Sequence, residues 1–585
     1  MRKVKIVCTL GPACADYDVL RTMAEAGMNV ARLNFSHGSY EGHAMNLKQV
    51  RAVEAEVHRP IAALLDTKGP EIRTGLLKNH QPVMLVQGKN VDLVAGGDFA
   101  GDDAQVAVDY VELPREIARG LDVFIDDGTL HLRVDQIEED RITCRILVGG
   151  ELGERKGVNV PEAHLSVPTL TAKDIEDIRW GVEKGMDFIA VSFVRTRDDI
   201  MQVRRVMEEL GGGMKIIAKI ETRAAVKNLE EIIQVVDGMM VARGDLGVET
   251  PTEDVPLVQK RIIDMCRSQG KPVIVATQML DSMIRNPRPT RAEANDVANA
   301  VLDGADAVML SGETAKGKYP IQAVETMNRI IVRAEQEMRL WQRPTTIPLT
   351  SGTNVSDAVS HAAMSIAEEM KASAVISLTR SGSTARMVSK FRPACPIVAS
   401  TPSRVTWRET ALMWGVHAVM QEEAANAEEA VESAMGAALE MGFVSEGDLV
   451  VITAGVPVGI PGTTNMVQVH TIGRILVKGL SLLKREASGF VCRAHKAEEA
   501  LAKMRPGDVL VASQTDRDYV PAMRKASAII TEEGGLTSHA AIVALELGVP
   551  CIVSAPEAMR LLQDGMLVTV DGSRGVVYQG RVKLR

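Results

Sequence analysis

Residues 215–249, KIIAKIETRAAVKNLEEIIQVVDGMMVARGDLGVE, read as a strand, a helix and a second strand. The apolar runs that open and close this stretch are nearly continuous, which suits strands buried on both faces, while EEIIQVV between them has helical spacing. Each run ends in charge: Lys219 and Glu221 close the first, and Asp245 closes the second. Six further runs of the same kind lie within the first 315 residues: VKIVCTL, MNVARLNFS, IAALLDT, FIAVSF, PVIVATQ and AVMLSGET. Most are separated by helical patterns such as DYDVLRTMAEAG and DVPLVQKRIIDMCRSQG. Eight strand-then-helix units predict a (β/α)8 barrel, whose strand C-termini are where catalytic groups collect.

The barrel pattern is interrupted after its third run. From Glu71 to Ser166 the helical patterns thin out, and QPVMLV, NVDLVAG and RITCRILVGG read as strands, so an inserted β-barrel domain is expected over 71–166. The catalytic barrel then occupies 1–70 and 167–340. An α/β segment with the runs SAVISLT, CPIVAST and GDLVVITAG follows over 345–473, and a last domain over 490–585.

Composition narrows the class. A chain of 585 residues holds several domains, because single cores stop growing at roughly 250–300 residues. The formal charge of −9 describes an acidic protein with no global basic field for nucleic acid or anionic lipid, so any anion site is local. Seven scattered cysteines without a C-x-x-C pair indicate neither a disulfide framework nor zinc. The opening MRKVKIVCTLGP enters a strand-like run with no signal segment, and no stretch approaches the ~20 apolar residues of a membrane span. A cytoplasmic protein with no membrane partner is expected.

Alternation along a strand puts Arg32, Asn34 and Ser36 on one face, and Lys219 with Glu221 on another. One strand further on, Asp245 stands beside Gly244. Two carboxylates a strand apart, with no thiolate or imidazole nearby, suit Mg2+ or Mn2+ completed by water and substrate oxygens. A single K-x-E is an ordinary salt bridge; convergence of these residues at successive strand ends favours a site.

The motifs VCTLGPA, ARLNFSHG, LLDTKGPEIRTG, KGVNVP, IIAKIE, MVARGDLGVE, PVIVATQML, PRPTRAEANDVANAV and MLSGETAKGKYP resemble the pyruvate kinase family in order and spacing, over residues 1 to about 473. The terminal segment separately resembles the phosphohistidine domain of phosphoenolpyruvate-using enzymes, an arrangement known in some bacterial pyruvate kinases. The resemblance implies phosphoryl transfer from phosphoenolpyruvate to ADP, giving pyruvate and ATP, with Mg2+ (or Mn2+) and K+. It implies that Arg32 holds the transferred phosphate, that Glu221 and Asp245 hold the divalent ion, and that Lys219 stabilises the moving phosphoryl group and the enolate. Gly244, Asp245 and Thr277 join Arg32 and Lys219 in binding substrate, and Thr277 helps route a proton. Asn34, Ser36, His37, Arg73 and Lys156 match nucleotide contacts, which makes the insert a lid. Asn34, Ser36, Asp66 and Thr67 match the potassium site. Glu71 matches the residue of potassium-requiring members, where potassium-independent ones carry Lys. The nearest alternative is a phosphoenolpyruvate-using barrel lyase, which lacks a nucleotide lid.

In SLTRSGSTARMVSKFRP the residues Thr379, Ser381, Gly382, Ser383 and Thr384 occupy a strand-to-helix turn, which is either an anion site or a plain capped turn. The resemblance favours an allosteric site for a phosphorylated metabolite, in a homotetramer. In TEEGGLTSHAAIVALELGVP, residues 531–550, His539 stands at the expected mouth of a helix. Phosphotransfer members read H-x-x-x-x-A-R, whereas this chain has Ala544 and Leu545. Leucine cannot balance phosphate charge, so His539 is expected to be idle in an accessory domain. The alternative is a phosphohistidine relay.

Overall fold

The computed structural model describes residues 1–163, 165–341, 354–456, 464–473 and 475–582. The expected domain limits at 345 and 585 lie outside the described residues. Contact density divides the chain into two compact units: 1–350 with 385–392 and 403–418, and 351–384 with 393–402 and 419–585.

In the first unit the eight apolar runs form β1 (Lys5–Thr9), β2 (Val30–Asn34), β3 (Ala62–Asp66), β4 (Phe188–Val191), β5 (Lys215–Ile220), β6 (Gly238–Ala242), β7 (Val273–Ala276) and β8 (Ala307–Leu310). They close into a parallel barrel in chain order, with β8 paired to β1. Side-chain alternation sorts their apolar residues into two cores. Val7, Val30, Leu64, Ile217, Met240, Ile274 and Met309 pack in the interior, and Ile6, Ala31, Leu65, Ile216, Met239, Val275 and Val308 pack against the surrounding helices. Ala411 and Leu412, from the segment 403–418, belong to the interior set.

The interior parity continues past the apolar residues. Arg32 follows Val30 by two, Asp66 follows Leu64, and Lys219 follows Ile217, so three charged side chains enter the barrel at its C-terminal mouth. Capping fixes where several of the helices between strands start. Thr171, Thr196 and Thr290 each accept from the third helical N–H in a reciprocal capping box, an arrangement that satisfies two otherwise orphaned donors.

The insert is mainly β, with one short helix at Leu113–Glu116. Its main sheet orders as Val158–Asn159, Asp122–Ile125, Leu130–Ile137, Arg141–Val148, Asn90–Ala95 and Gln105–Val108, beside a pair formed by Val83–Leu85 and Gly150–Leu152. The three runs expected as strands are among them. A separate apolar core including Leu93, Val123, Leu132, Ile142 and Ile146 holds it together.

In the second unit Ala374–Leu378 lies between the parallel strands Ile397–Thr401 and Leu449–Ala454, and Met466–Thr471 adds antiparallel to the latter. The C-terminal segment forms an eight-stranded mixed sheet, in which Val509–Ala512, Ala528–Thr531 and Cys551–Val553 are adjacent and parallel. The helix His539–Leu547 connects the last two. No helix among the described residues is long and apolar enough to cross a membrane.

Candidate functional site

At the barrel mouth Arg32, Asp66, Lys219 and Glu221 form one ionic cluster. Arg32 donates from Nε to Asp66 Oδ2 at 2.6 Å and from Nη1 to Thr9 Oγ1 at 2.9 Å. Lys219 Nζ lies 3.1 Å from Asp66 Oδ1 and 2.8 Å from Glu221 Oε1, and donates to Ser192 Oγ at 2.8 Å. Burial opposes the charge on Lys219, but Asp66 and Glu221 outweigh it and hold the ammonium above the ordinary lysine range. Burial alone would raise the Asp66 carboxyl; Arg32 and Lys219 bring it below its ordinary value.

Glu221 sits one residue beyond the end of β5, and its Oε2 accepts from Phe193 N at 2.7 Å. Phe193 itself is at φ 53°, a left-handed conformation uncommon for a bulky side chain. Asp245 stands in the first turn of the helix Arg243–Glu249, which begins directly after β6. Its carboxyl is pushed up to about 7, first by burial and then by the negative charge of Glu221, against a smaller opposing effect of Lys219.

Thr277 follows β7 at φ 68° and Gln278 at φ 53°, both strained for residues with a Cβ. The Thr277 hydroxyl accepts from Gly244 N at 2.9 Å and donates to Ala276 O at 2.6 Å. Arg243 holds this turn in place. Its guanidinium donates to Ala276 O at 3.2 Å, to Thr277 O at 2.8 Å and to Asp296 Oδ1 at 2.6 Å. Sequence reading missed Arg243, Asp296, Thr9 and Ser192. A charged residue immediately after the apolar run GMMVA was the available signal for Arg243.

The alternation argument fails at one position. Strand β2 ends at Asn34, so Ser36 lies in the following turn, and what brings the two together is a bond from Ser36 N to Asn34 Oδ1 at 3.2 Å. Asn34 is the register partner of Asp66 across β2 and β3, and Thr67 is buried beside it, where Ser192 Oγ donates to its carbonyl at 2.6 Å.

Above the cluster is a cavity of about 600 Å³ between barrel and insert, walled by His37, Arg73, Asp127, Lys156, Asp245 and Lys316. It gathers three of the expected nucleotide contacts. Lys156 Nζ is 2.9 Å from Asp126 Oδ1, and Arg73 Nε donates to Glu71 Oε2 at 2.7 Å. Asp126 at φ 55° and Asp127 at φ 54° form the turn that brings this acid pair over the barrel; the sequence reading did not single them out.

In the second unit Thr379, Ser381, Gly382, Ser383 and Thr384 do span a strand-to-helix turn, from Ala374–Leu378 to Ser383–Lys390. Gly382 is left-handed at φ 78°, Ser381 is exposed, and Thr384 Oγ1 accepts from Thr464 Oγ1 at 3.1 Å. His539 is the first residue of its helix, and its Nδ1 lies 3.1 Å from Thr515 Oγ1. Leu545, on the same helix, is 54% exposed, so the outer surface offers an apolar side chain where a cation would be needed.

Comparison with known proteins agrees with this geometry. Residues 1–324 match the family described as pyruvate kinase, barrel domain, residues 357–470 match pyruvate kinase, alpha/beta domain, and residues 504–575 match PEP-utilising enzyme, mobile domain. Along the full length of both chains, the protein is 46% identical to a pyruvate kinase of Geobacillus stearothermophilus and 46% identical to one of Bacillus licheniformis. It is 45% identical to one of Sporosarcina psychrophila, again over the whole of both chains. With the barrel, its mouth cluster and full-length relatives in agreement, the chain belongs to the pyruvate kinase family.

Proposed function

We infer that the chain transfers the phosphoryl group of phosphoenolpyruvate to ADP, giving pyruvate and ATP. The observation that carries this reading is the Arg32–Asp66–Lys219–Glu221 cluster, two fixed cations at the barrel mouth, next to which Asp245 enters the wall of a cavity of about 600 Å³. The bond from phosphorus to the enol oxygen breaks, its electron pair stays on that oxygen, and a β-phosphate oxygen of ADP takes the phosphorus. The enolate carbon then accepts a proton. Arg32 binds the phosphoryl oxygens, and Lys219 faces the charge that develops between phosphorus and the enol oxygen. Charge dispersed over such a transition state is stabilised by preplaced cations without reorganisation. Thr277, whose hydroxyl is held by Gly244 N and Ala276 O, is the residue through which the proton is routed.

Glu221 and Asp245 fit a divalent ion. Their mutual repulsion is part of what raises Asp245, and a cation between them relieves it. Glu221 and Asp245 would supply two carboxylate oxygens, and Mg2+ or Mn2+ bound there would take the rest from water and substrate. When bound, it neutralises substrate oxygens. Asn34, Ser36, Asp66 and Thr67 offer only oxygen donors, which suits K+. Arg73, Lys156 and His37 take the nucleotide once Glu71 and Asp126 release the two cations, so the insert acts as a lid that excludes water.

The further proposals are domain limits of 1–70 with 167–340, 71–166, 345–473 and 490–585; a cytoplasmic homotetramer; and a phosphorylated effector at Thr379–Thr384. His539 is idle. Purified protein assayed with both cations gives ADP-dependent pyruvate, and its absence refutes the main reading. Incubation with phosphoenolpyruvate and Mg2+ leaves His539 free of acid-labile phosphate by mass spectrometry, whereas stoichiometric labelling lost in His539→Ala establishes the relay instead.

A further inference from the structure

The end of the barrel opposite its mouth carries a second concentration of positive charge. The helix Val255–Ser268 ends there, residues 269–272 lead into β7, and the last turns of Ser383–Lys390 with Arg392 border the same space. Together they frame a shallow, solvent-open cleft of about 240 Å³, within which the space that a water-sized group can occupy is about 10 Å³, enough for one oxygen. Five cations line it, Arg267, Lys271, Arg386, Lys390 and Arg392, against one carboxylate, Asp306.

Asp306 is already engaged. Its Oδ1 is 2.9 Å from Arg392 Nη1, and its Oδ2 accepts from Val273 N at 3.0 Å. Part of the cationic set has a structural purpose, since helix C-termini favour positive charge. Lys271 Nζ donates to Ile233 O in the last turn of Leu229–Val235, and Arg392 Nη2 donates to Gly304 O at 3.0 Å, at the C-cap of Arg291–Asp303.

Two groups have no such use. The Arg392 side chain is only 6% exposed, and its Nε is buried without a hydrogen-bond partner. Among the described residues Arg386 forms no hydrogen bond and no ion pair, although it is largely buried and burial holds it below the ordinary guanidinium range. The carboxyls that act on Arg386 are Asp237 and Glu409. Asp237 Oδ2 already accepts from Ile216 N at 2.9 Å, and Glu409 is itself pushed up to about 7 by burial. A buried guanidinium without a partner is a costly arrangement that a bound anion removes.

We propose that this cleft binds a phosphate group, as inorganic phosphate or as the phosphate of a phosphorylated metabolite, with Arg386 as its principal donor and the Lys271 ammonium beside it. One phosphate oxygen occupies the small inner space, and the rest of the group stays at the open mouth among Lys390 and Arg267. Arg386 belongs to the 385–392 segment and Lys271 to the residues that lead into β7, so an occupied cleft fastens that segment to the barrel floor. Neither donor belongs to the Thr379–Thr384 turn.

The test uses the full-length protein, titrated with inorganic phosphate and, in a second arm, glucose 6-phosphate, at constant ionic strength set with sodium chloride. Melting temperature and isothermal calorimetry are the readouts. Saturable binding is expected that chloride does not reproduce, and the tighter of the two arms identifies the source of the phosphate. Arg386→Gln lowers the affinity at least tenfold and raises the melting temperature of the phosphate-free protein, because it removes an unpaired buried charge. A purely structural arginine gives a fall instead. Ser381→Ala, in the turn assigned to the effector, keeps the Arg386-dependent part of the binding. Should Arg386→Gln prove insoluble, Lys390→Gln is expected to weaken binding severalfold. No saturable binding to the parent, equal affinity in parent and Arg386→Gln, or loss of binding in Ser381→Ala alone overturns the proposal.

Discussion

Replacing Lys219 by Met removes one charge while nearly preserving side-chain length, so it isolates what that charge does. The ammonium lies 2.8 Å from Glu221, 2.8 Å from Ser192 and 3.1 Å from Asp66. At an effective dielectric of ~20, a unit charge ~3 Å away contributes about 5 kcal/mol. Before reaction that attraction is engaged by Asp66 and Glu221, so the transition state gains only the part redirected toward the enol oxygen. A single preorganised donor is worth about 3–4 kcal/mol in comparable sites. With about 1.4 kcal/mol for each tenfold in rate, kcat should fall roughly 10² to 10³-fold. The KM for phosphoenolpyruvate should move less than tenfold, because the lost interaction is made mainly in the transition state. Mn2+ binding, read by electron paramagnetic resonance, should be retained or tightened, since a cation next to Glu221 has gone. The assay is steady-state pyruvate production beside that metal titration on the same preparation. A folded, Mn2+-binding Lys219→Met protein with kcat within threefold of the parent would falsify the assigned role.

Arg243→Gln should release the strained Thr277–Gln278 turn, whose two left-handed residues each cost about 1–3 kcal/mol. We expect kcat and the enzyme-catalysed exchange of pyruvate methyl protons into D2O, followed by NMR, to fall together by about 10²-fold; loss of kcat with unchanged exchange would detach Thr277 from proton transfer. Glu71→Lys should relax the K+ requirement at some cost in activity, and identical K+ dependence in variant and parent would refute the substitution logic. For Glu409 the sign follows from a folded-state value of about 7 against an ordinary 4.5. The folded protein holds the proton more tightly, so its contribution to stability is present below pH ~4.5, is lost as pH rises toward ~7, and stays lost above that. Glu409→Gln should therefore flatten the melting-temperature profile between pH 5 and 7 and leave the variant the more stable at pH 8, by at most about 3 kcal/mol, the opposing pull of Lys215, 3.9 Å away, being already contained in the folded-state value. A parallel profile in variant and parent would sink this reading.

What could be read in the chain was whatever a local period determines. Alternation along one strand decides which side chains enter the barrel, and so Arg32 and Lys219 were legible from their own strands, while Asp66, which shares the interior parity of Leu64, was reached only through the family resemblance. The same rule stops where the strand stops. Ser36 joins Asn34 through a turn, Glu221 is fixed by a backbone N–H from the end of a different strand, and Asp245 is placed by the first turn of a helix. Alternation and strand-end position singled out these residues, but not the contacts that hold them. Neither route reached Arg243 with Asp296, 53 positions apart, because their pairing depends on how the ends of β6 and β7 approach and on a backbone conformation that Thr277 adopts only under tertiary constraint. The unpartnered Arg386 was invisible for a related reason. A charged residue in a short amphipathic helix reads as solvated, and only packing reveals that burial has removed its water without supplying an anion. Residues that act through a neighbouring strand or an incoming ligand leave no period in the sequence.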